Sequence, residues 1–253
     1  MSVQEVPQDL MFYLSGIQSC SYLAGEKQLN LFADPHATMT PELYSVLCEL
    51  GFRRSGEFVY TPRCPACQAC LPVRVPVSAY QPRRRQRRNW LHNQDLQVRT
   101  VSDEFREEHF ALYQRYIQAR HEDGSMAEPT PEQYHQFFYA RWSDTRLVEF
   151  RCQQRLLGVA VVDLLRDGLS AVYSFFDPEE KSRGLGVYMV QWLIAETQHR
   201  QLPYLYLGYL VRACRKMAYK EEYQPLQAFI HGQWQTLVSM QSKKAVDPGA
   251  PSV

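Results

Sequence analysis

Three cysteines at i, i+3 and i+6, Cys64, Cys67 and Cys70, open the stretch CPACQACLPVRVPVSAYQPRRRQRRNW. Thiolates this close together are ligands for a soft metal or centres of redox chemistry. A proline-punctuated segment, LPVRVPV, follows. Then come five arginines in six residues: Arg83, Arg84, Arg85, Arg87 and Arg88. Such a run suits a polyanion, though a solvated helix face explains a charge run alone about equally well.

The surroundings sharpen the polyanion reading. Net charge is +1 over 253 residues, but its distribution is uneven. Between Arg53 and Arg99 stand ten Arg and no Lys, against Glu57 and Asp95 alone. Between Val101 and Phe150 the balance reverses, with five Arg against ten Asp and Glu. A basic face of this kind points first to nucleic acid. At 45% apolar and 22% charged residues the chain has a globular composition. No apolar run approaches the roughly 20 residues that a membrane-spanning helix needs, so no membrane role is expected. The N-terminus lacks a basic segment ahead of an apolar one, which argues against a secretory signal and for the cytoplasm. Of the seven cysteines, Cys48, Cys152 and Cys214 are then most simply free thiols.

The elements that must position these groups follow from pattern. Residues 1 to 9 read as a loose end and Leu10 to Ile17 as a strand. Thr40-Pro41-Glu42 opens a helix whose buried face is Leu43, Val46, Leu47 and Leu50, ended by Gly51. Phe52 to Tyr60 reads as a hairpin about Ser55-Gly56. Pro72, Pro76 and Pro82 confine Val73 to Val77 to an edge strand or extended segment. The arginine run opens a short helix ending near Asn93. Leu96 to Val101 is a strand. Ser102 caps a helix with Asp103 and Glu104 in its first turn, and 121 to 125 is a loop. Thr130-Pro131-Glu132-Gln133 begins a second helix, reaching about Trp142. Strands follow at Arg146 to Arg151, Leu156 to Leu165 and Leu169 to Phe176. A helix from Gly184 runs to about His199, and a strand covers Pro203 to Leu207. A helix from Leu210 to Tyr219 and a last strand from Leu226 to Leu237 complete the order. Residues 241–253 form a tail of disordered composition.

The fold class is α/β. A small N-terminal α+β region, 1–95, carries the cysteines and the arginine run, and a second domain covers 96–240. The order of elements in that domain resembles the GCN5-related N-acetyltransferase-like (GNAT) acyltransferase fold. In that fold a Gly-rich turn and helix N-terminus follow a central strand. Gly184-Leu185-Gly186 holds that place here, and its backbone N–H groups suit an anion or oxyanion. A loop that needs two glycines for its turn is the plain alternative.

Five motifs in order extend the resemblance over residues 10 to 237. They are Gln18-Ser19-Cys20-Ser21-Tyr22-Leu23, Gly51-Phe52-Arg53-Arg54-Ser55-Gly56, the cysteine cluster with Pro72 and Arg74, Ser174-Phe175-Phe176-Asp177-Pro178, and Tyr206 to Tyr209 with Cys214-Arg215-Lys216-Met217 through Pro225. Together they resemble the arginyl-tRNA–protein transferase family, in its bacterial branch with the three-cysteine cluster. The resemblance implies transfer of an amino acid, leucine in this branch, from aminoacyl-tRNA (Leu-tRNA). The acceptor is the α-amine of a protein that begins with Asp or Glu. The product enters the N-degron pathway of protein degradation.

That chemistry is modest in its demands. An aminoacyl ester is already activated, and an α-amine with a pKa of about 8 is partly neutral at neutral pH. Positioning and oxyanion donors suffice, and no cofactor is required. The candidates for the catalytic centre are Tyr173, Gly184 and Gly186. For the acidic N-terminus they are Arg74 first, then Arg215, Lys216 and Tyr209, because Arg pairs a carboxylate with two bonds. Arg83, Arg84, Arg85, Arg87 and Arg88 would hold the tRNA backbone. Cys64, Cys67 and Cys70, with Cys20 as a family-matched fourth, offer ligands for zinc or an Fe–S cluster. Leu23 stands where wider relatives have the second cysteine of a pair, and packed free thiols remain the alternative. Other functions compatible with these features are an arginyl donor, a CoA-dependent N-acetyltransferase and a non-enzymatic RNA-binding module.

Overall fold

The computed structural model describes residues 9–102, 104–120 and 129–237. The expected loose N-terminus up to residue 8, Asp103, the loop at 121 to 125 and the tail lie outside the described residues. The chain opens with β1 (Phe12–Leu14), β2 (Gln18–Ser19), β3 (Lys27–Gln28) and β4 (Asn30–Ala33). Helix α1 (Pro41–Glu49) follows, then β5 (Arg53–Ser55), β6 (Phe58–Pro62), β7 (Leu71–Pro76) and α2 (Arg84–His92). Next are β8 (Gln97–Val101), α3 (Glu107–Arg120), α4 (Pro131–Phe138), β9 (Thr145–Cys152), β10 (Arg155–Leu165) and β11 (Gly168–Phe176). The last are α5 (Leu185–His199), β12 (Tyr204–Leu210), α6 (Arg215–Ala218), β13 (Gln227–Ile230) and β14 (Gln233–Thr236).

Eight strands form one sheet in the order β14-β13-β7-β12-β11-β10-β9-β8. Helices α2 and α5 cover one face, where Met189, Leu193 and Ile194 bury against Ala160, Val162 and Leu169. Helices α3 and α4 cover the other, where Tyr113, Ile117, Tyr134 and Phe138 meet Val159, Val161 and Phe175. The nearly continuous apolar run of β10, whose successive side chains point to opposite faces, drives this two-sided burial. A small sheet, β1-β4-β6-β5, with α1, packs on the end of the α3/α4 face through Leu165 and Tyr206. Arg54 of β5 crosses that junction to a fully buried Asp163 of β10, with Nε and Nη2 at 2.6 and 2.7 Å from its two carboxylate oxygens.

The pair β11–β12 is parallel and registers only at Gly168–Tyr204, Leu169–Leu205 and Ser170–Tyr206. Beyond Ser170 and Tyr206 the strands have no pairing with each other. β11 stays with β10 and β12 stays with β7, so the sheet opens at the C-terminal ends of this pair.

Several expectations change. Strand β7 is central, between β12 and β13, rather than at an edge. Pro72 and Pro76 stand near its ends, which leaves Val73, Arg74 and Val75 with their N–H donors. The large sheet therefore draws on chain from both sides of residue 95. Leu50 is 42% exposed, and the buried face of α1 is Tyr44, Val46, Leu47 and Cys48. Helix α3 starts at Glu107, not after Ser102, and α4 ends at Phe138. The segment after β12 holds one α turn, α6, rather than a helix from Leu210. The last strand is a hairpin, because His231 and Gly232 both take positive φ, the requirement of a tight two-residue turn. Among the described residues no helix is long and apolar enough to cross a membrane.

Candidate active site

The arginine run forms most of α2, with Arg83 at the N-cap and Arg84, Arg85, Arg87 and Arg88 exposed. Its inward stripe is made of amides: Gln86 and Asn93 are buried and Asn89 half-buried. This stripe fastens α2 to the start of α5. Asn89 Nδ2 donates to the carbonyls of Arg183 at 2.7 Å and Gly184 at 3.2 Å. Asn93 Nδ2 donates to Arg183 at 2.9 Å. Asn89 Oδ1 accepts from Gln191 Nε2 at 3.2 Å. On its exposed side Arg85 pairs with Glu222, and Arg87 Nη1 donates to the Pro82 carbonyl at 2.6 Å.

Gly184 is in the left-handed region at φ 59° and serves as N-cap of α5. A Cβ there would lie 2.8 Å from Asn89 Nδ2, so the close approach of α2 requires glycine. The Val187 and Tyr188 N–H groups close on the Gly184 carbonyl. The donors ahead of them, at Leu185 and Gly186, have no acceptor within the helix by helix geometry. Gly186 stands against Phe176 of β11; a Cβ there would meet the ring at 3.1 Å. Tyr173 lies across the sheet from this turn. It packs among Tyr113, Tyr116, Phe137 and Phe138, with centroids 5.4 to 6.4 Å away. Burial drives its phenol far above the ordinary range. The structure thus joins the glycine turn to the arginine helix and sets Tyr173 on the other face.

Arg74 is 8% exposed and committed inside the protein. Nε donates to Gln227 at 2.9 Å, Nη1 donates to Tyr206 Oη at 3.2 Å, and Asp167 lies at 3.8 Å. The guanidinium carbon sits 3.5 Å from the Tyr204 centroid and 4.2 Å from that of Trp234. Such stacking is worth about 0.5–2 kcal/mol. Arg215 and Lys216 lie exposed on α6. Tyr209 is buried, and its hydroxyl donor has the Gly51 and Tyr60 carbonyls at 3.2 and 3.0 Å.

Cys20, Cys64, Cys67 and Cys70 line one cavity of about 730 Å³, together with Tyr22, Tyr60 and Tyr209. Burial, and then the neighbouring Cys64, Cys20 and Cys67, push the Cys70 thiol up to about 12. The donor chemistry suits zinc or an iron–sulfur cluster. The arrangement does not: among the described residues no three His, Cys, Asp or Glu side chains form a group that could hold a metal ion.

Two cations near this cavity stand within the family-like motifs but are not among the sequence-derived site candidates. Arg53 is 6% exposed and Lys220 5%. Lys220 Nζ donates to the Tyr209 carbonyl at 2.6 Å. Burial, then the charge of Arg53, lower its pKa to about 7. The amide stripe Gln86-Asn89-Asn93 did have a signal, since i, i+3 and i+7 share one helix face.

Models of the arginine-tRNA-protein transferase N terminus and C terminus match residues 18–88 and 108–230. The chain belongs to the arginine-tRNA-protein transferase family. It is therefore an aminoacyl-tRNA–protein transferase, and the elements above are the parts of such an enzyme. It is 48% identical to the aspartate/glutamate leucyltransferase of Hahella chejuensis over 228 residues, 90% of this chain and 97% of that one. It is 51% identical to the protein of the same name from Nitrosococcus oceani over 227 residues, 89% and 95% of the two chains. Among solved structures, L-PGS from Bacillus licheniformis aligns with 66% of this transferase and 51% of its own chain, at 10% identity and a TM-score of 0.45.

Proposed function

We propose that this transferase moves leucine from Leu-tRNA to the α-amine of proteins whose first residue is Asp or Glu, marking them for N-degron degradation. The observation that carries this reading is near-50% identity, over about nine-tenths of both chains, to relatives named aspartate/glutamate leucyltransferase. The unpaired ends of β11 and β12 support a GNAT-like acyltransferase core, because an extended acyl group fits where a sheet opens. Aminoacyl-tRNA as donor supports a cytoplasmic setting.

The chain's own groups supply what the reaction needs. The amine nitrogen attacks the ester carbonyl, an amide C–N bond forms, and the ester C–O bond breaks. The tRNA ribose hydroxyl leaves carrying a proton, and the proton lost by the amine passes to solvent. The N–H donors opening α5 face the charge that develops on the carbonyl oxygen. The exposed arginines of α2 hold backbone phosphates, and Asn89 ties that grip to the donors. The cysteine cavity takes no part in bond making.

The test uses Leu-tRNA and Arg-tRNA, each with a labelled amino acid, and peptides that begin with Asp, Glu or Ala. Leucine on the Asp and Glu peptides alone is expected. Arginine transfer in its place points to the arginyl donor, and no transfer of either amino acid overturns the reading.

A further inference from the structure

Arg53 and Arg54 follow one another on β5 and present the same guanidinium edge to different surroundings. Arg54 Nε and Nη2 grip the Asp163 carboxylate. Arg53 Nε and Nη2 are buried and have no partner among the described residues. Its Nη1 makes its only hydrogen bonds, with the Phe52 and Cys48 carbonyls at 2.5 and 3.3 Å, and the guanidinium carbon lies 5.1 Å from the Tyr206 ring centroid. Lys220, the neighbouring cation, has the Tyr209 carbonyl and the Met217 sulfur as contacts. Neither cation forms an ion pair with a carboxylate of the described residues. Two adjacent like charges, each over nine-tenths buried, are costly unless an anion joins them.

We propose that Arg53 and Lys220 form the pocket that receives the side-chain carboxylate of the acceptor's N-terminal Asp or Glu. The assignment rests on the leucyltransferase reading given above. The Nε–Nη2 edge can donate two parallel bonds to a carboxylate, as Arg54 does one residue away. Room for it exists beside Lys220. The β12–β7 register shifts between Tyr206 and Gly208, and Gly208 holds φ 75°. A Cβ on Gly208 would meet only Lys220 Nζ, at 3.8 Å. The 730 Å³ cavity lies next to the pair: Tyr60 of its wall pairs in register with Arg53, and the carbonyl of Tyr209, also in its wall, holds Lys220. The pocket also lies at the C-terminal end of β12, where the sheet opens toward α5. A carboxylate there leaves the attached α-amine within reach of that opening. A tRNA phosphate is a poorer occupant, because an enclosed pocket takes a side-chain tip more readily than a polymer backbone. Arg74, whose guanidinium is stacked and bonded inside the protein, is left to brace β7, β12 and β13.

The experiment measures kcat/KM for peptides that begin with Asp and Asn in the full chain, and in the variants Arg53→Lys, Arg53→Gln and Lys220→Met. Each ratio is taken within one preparation, so the folded fraction cancels. The Asp-over-Asn preference is expected to fall about tenfold or more in Arg53→Gln and Lys220→Met, with partial retention in Arg53→Lys and an unchanged KM for Leu-tRNA. A preference equal to that of the parent chain, or a raised KM for Leu-tRNA with the preference intact, overturns the pocket. An inactive variant is read by calorimetry with the same two peptides. Loss of Asp-specific binding supports the pocket, and retained Asp-specific binding overturns it. Failure of the parent chain to use either peptide counts against the leucyltransferase reading itself, a result distinct from all of these.

Discussion

Asn89 Nδ2 lies 2.7 Å from the carbonyl of Arg183 and 3.2 Å from that of Gly184, so one amide fastens the arginine helix to the turn that starts α5. The bond joins two groups with separate tasks. In the proposed reaction one side grips nucleic acid, and the other presents backbone donors to the reacting carbonyl. A shift of α2 is thereby felt at the donors.

Replacing Asn89 with Ala removes two donated bonds, each worth about 0.5–1.5 kcal/mol net. The expected outcome is a fall in kcat of about tenfold with little change in tRNA affinity. Single-turnover transfer together with filter binding of Leu-tRNA checks it. Full kcat in Asn89→Ala contradicts the tie.

Arg84 and Arg88 are exposed on α2 and have no ion pair among the described residues. Neutralising both releases fewer counterions on binding. The log–log salt slope should flatten by about 0.7–0.9 for each phosphate that the protein no longer neutralises. Binding titrations of the Arg84→Ala, Arg88→Ala double variant at several salt concentrations measure this, and an unchanged slope rules these two arginines out of the grip.

Much of this arrangement is legible in the sequence, and the reasons are local. Pro41, Thr130 and Gly184 punctuate helices, and the three successive apolar stretches of β9 to β11 stand out. The arginine helix and its end near Asn93 read directly from composition. What stays hidden depends on neighbours distant along the chain. Prolines suggest an edge for β7, yet its central place depends on β12 and β13, more than a hundred residues later. Arg74 looks available for a ligand until Gln227, Asp167, Tyr204 and Trp234 are folded around it. Arg53 and Arg54 are indistinguishable in one dimension, and only Asp163, 109 residues from Arg54, separates them.

The Arg54–Asp163 pair is fully buried and also receives Thr145 Oγ1 and Tyr44 Oη as donors, at 2.8 and 3.1 Å. Removing one member leaves a buried charge unpaired. Arg54→Ala should lose about 3–5 kcal/mol of unfolding free energy. Urea unfolding followed by tryptophan fluorescence measures the loss, and a cost below about 1 kcal/mol would contradict a structural role on the scale of typical single substitutions.

A second buried cluster sets the acid limit. Burial raises the Glu149 carboxyl, but hydrogen bonds from Arg151, Arg99 and His109 outweigh it and bring it down to about 2. Burial lowers His109, although Glu149 opposes this at 2.7 Å. Both groups bind fewer protons folded than unfolded in their titration ranges, so stability rises with pH there. The contribution from His109 is lost as pH falls below about 6.5, and that from Glu149 as pH falls from about 4.5 toward 2. Melting temperatures across pH 3 to 8 should fall steadily toward acid. Glu149→Gln should flatten the lower part of that curve, and an unaltered curve contradicts the assignment.

The most direct measurement puts Leu-tRNA, the full chain and equal amounts of two peptides, one beginning with Asp and one with Asn, in a single tube. Mass spectrometry then reads which N-terminus has gained leucine. Leucine is predicted on the Asp peptide and almost none on the Asn peptide, with the preference disappearing in Arg53→Gln. Equal leucylation of both peptides by the parent chain contradicts an acidic-N-terminus pocket at Arg53 and Lys220.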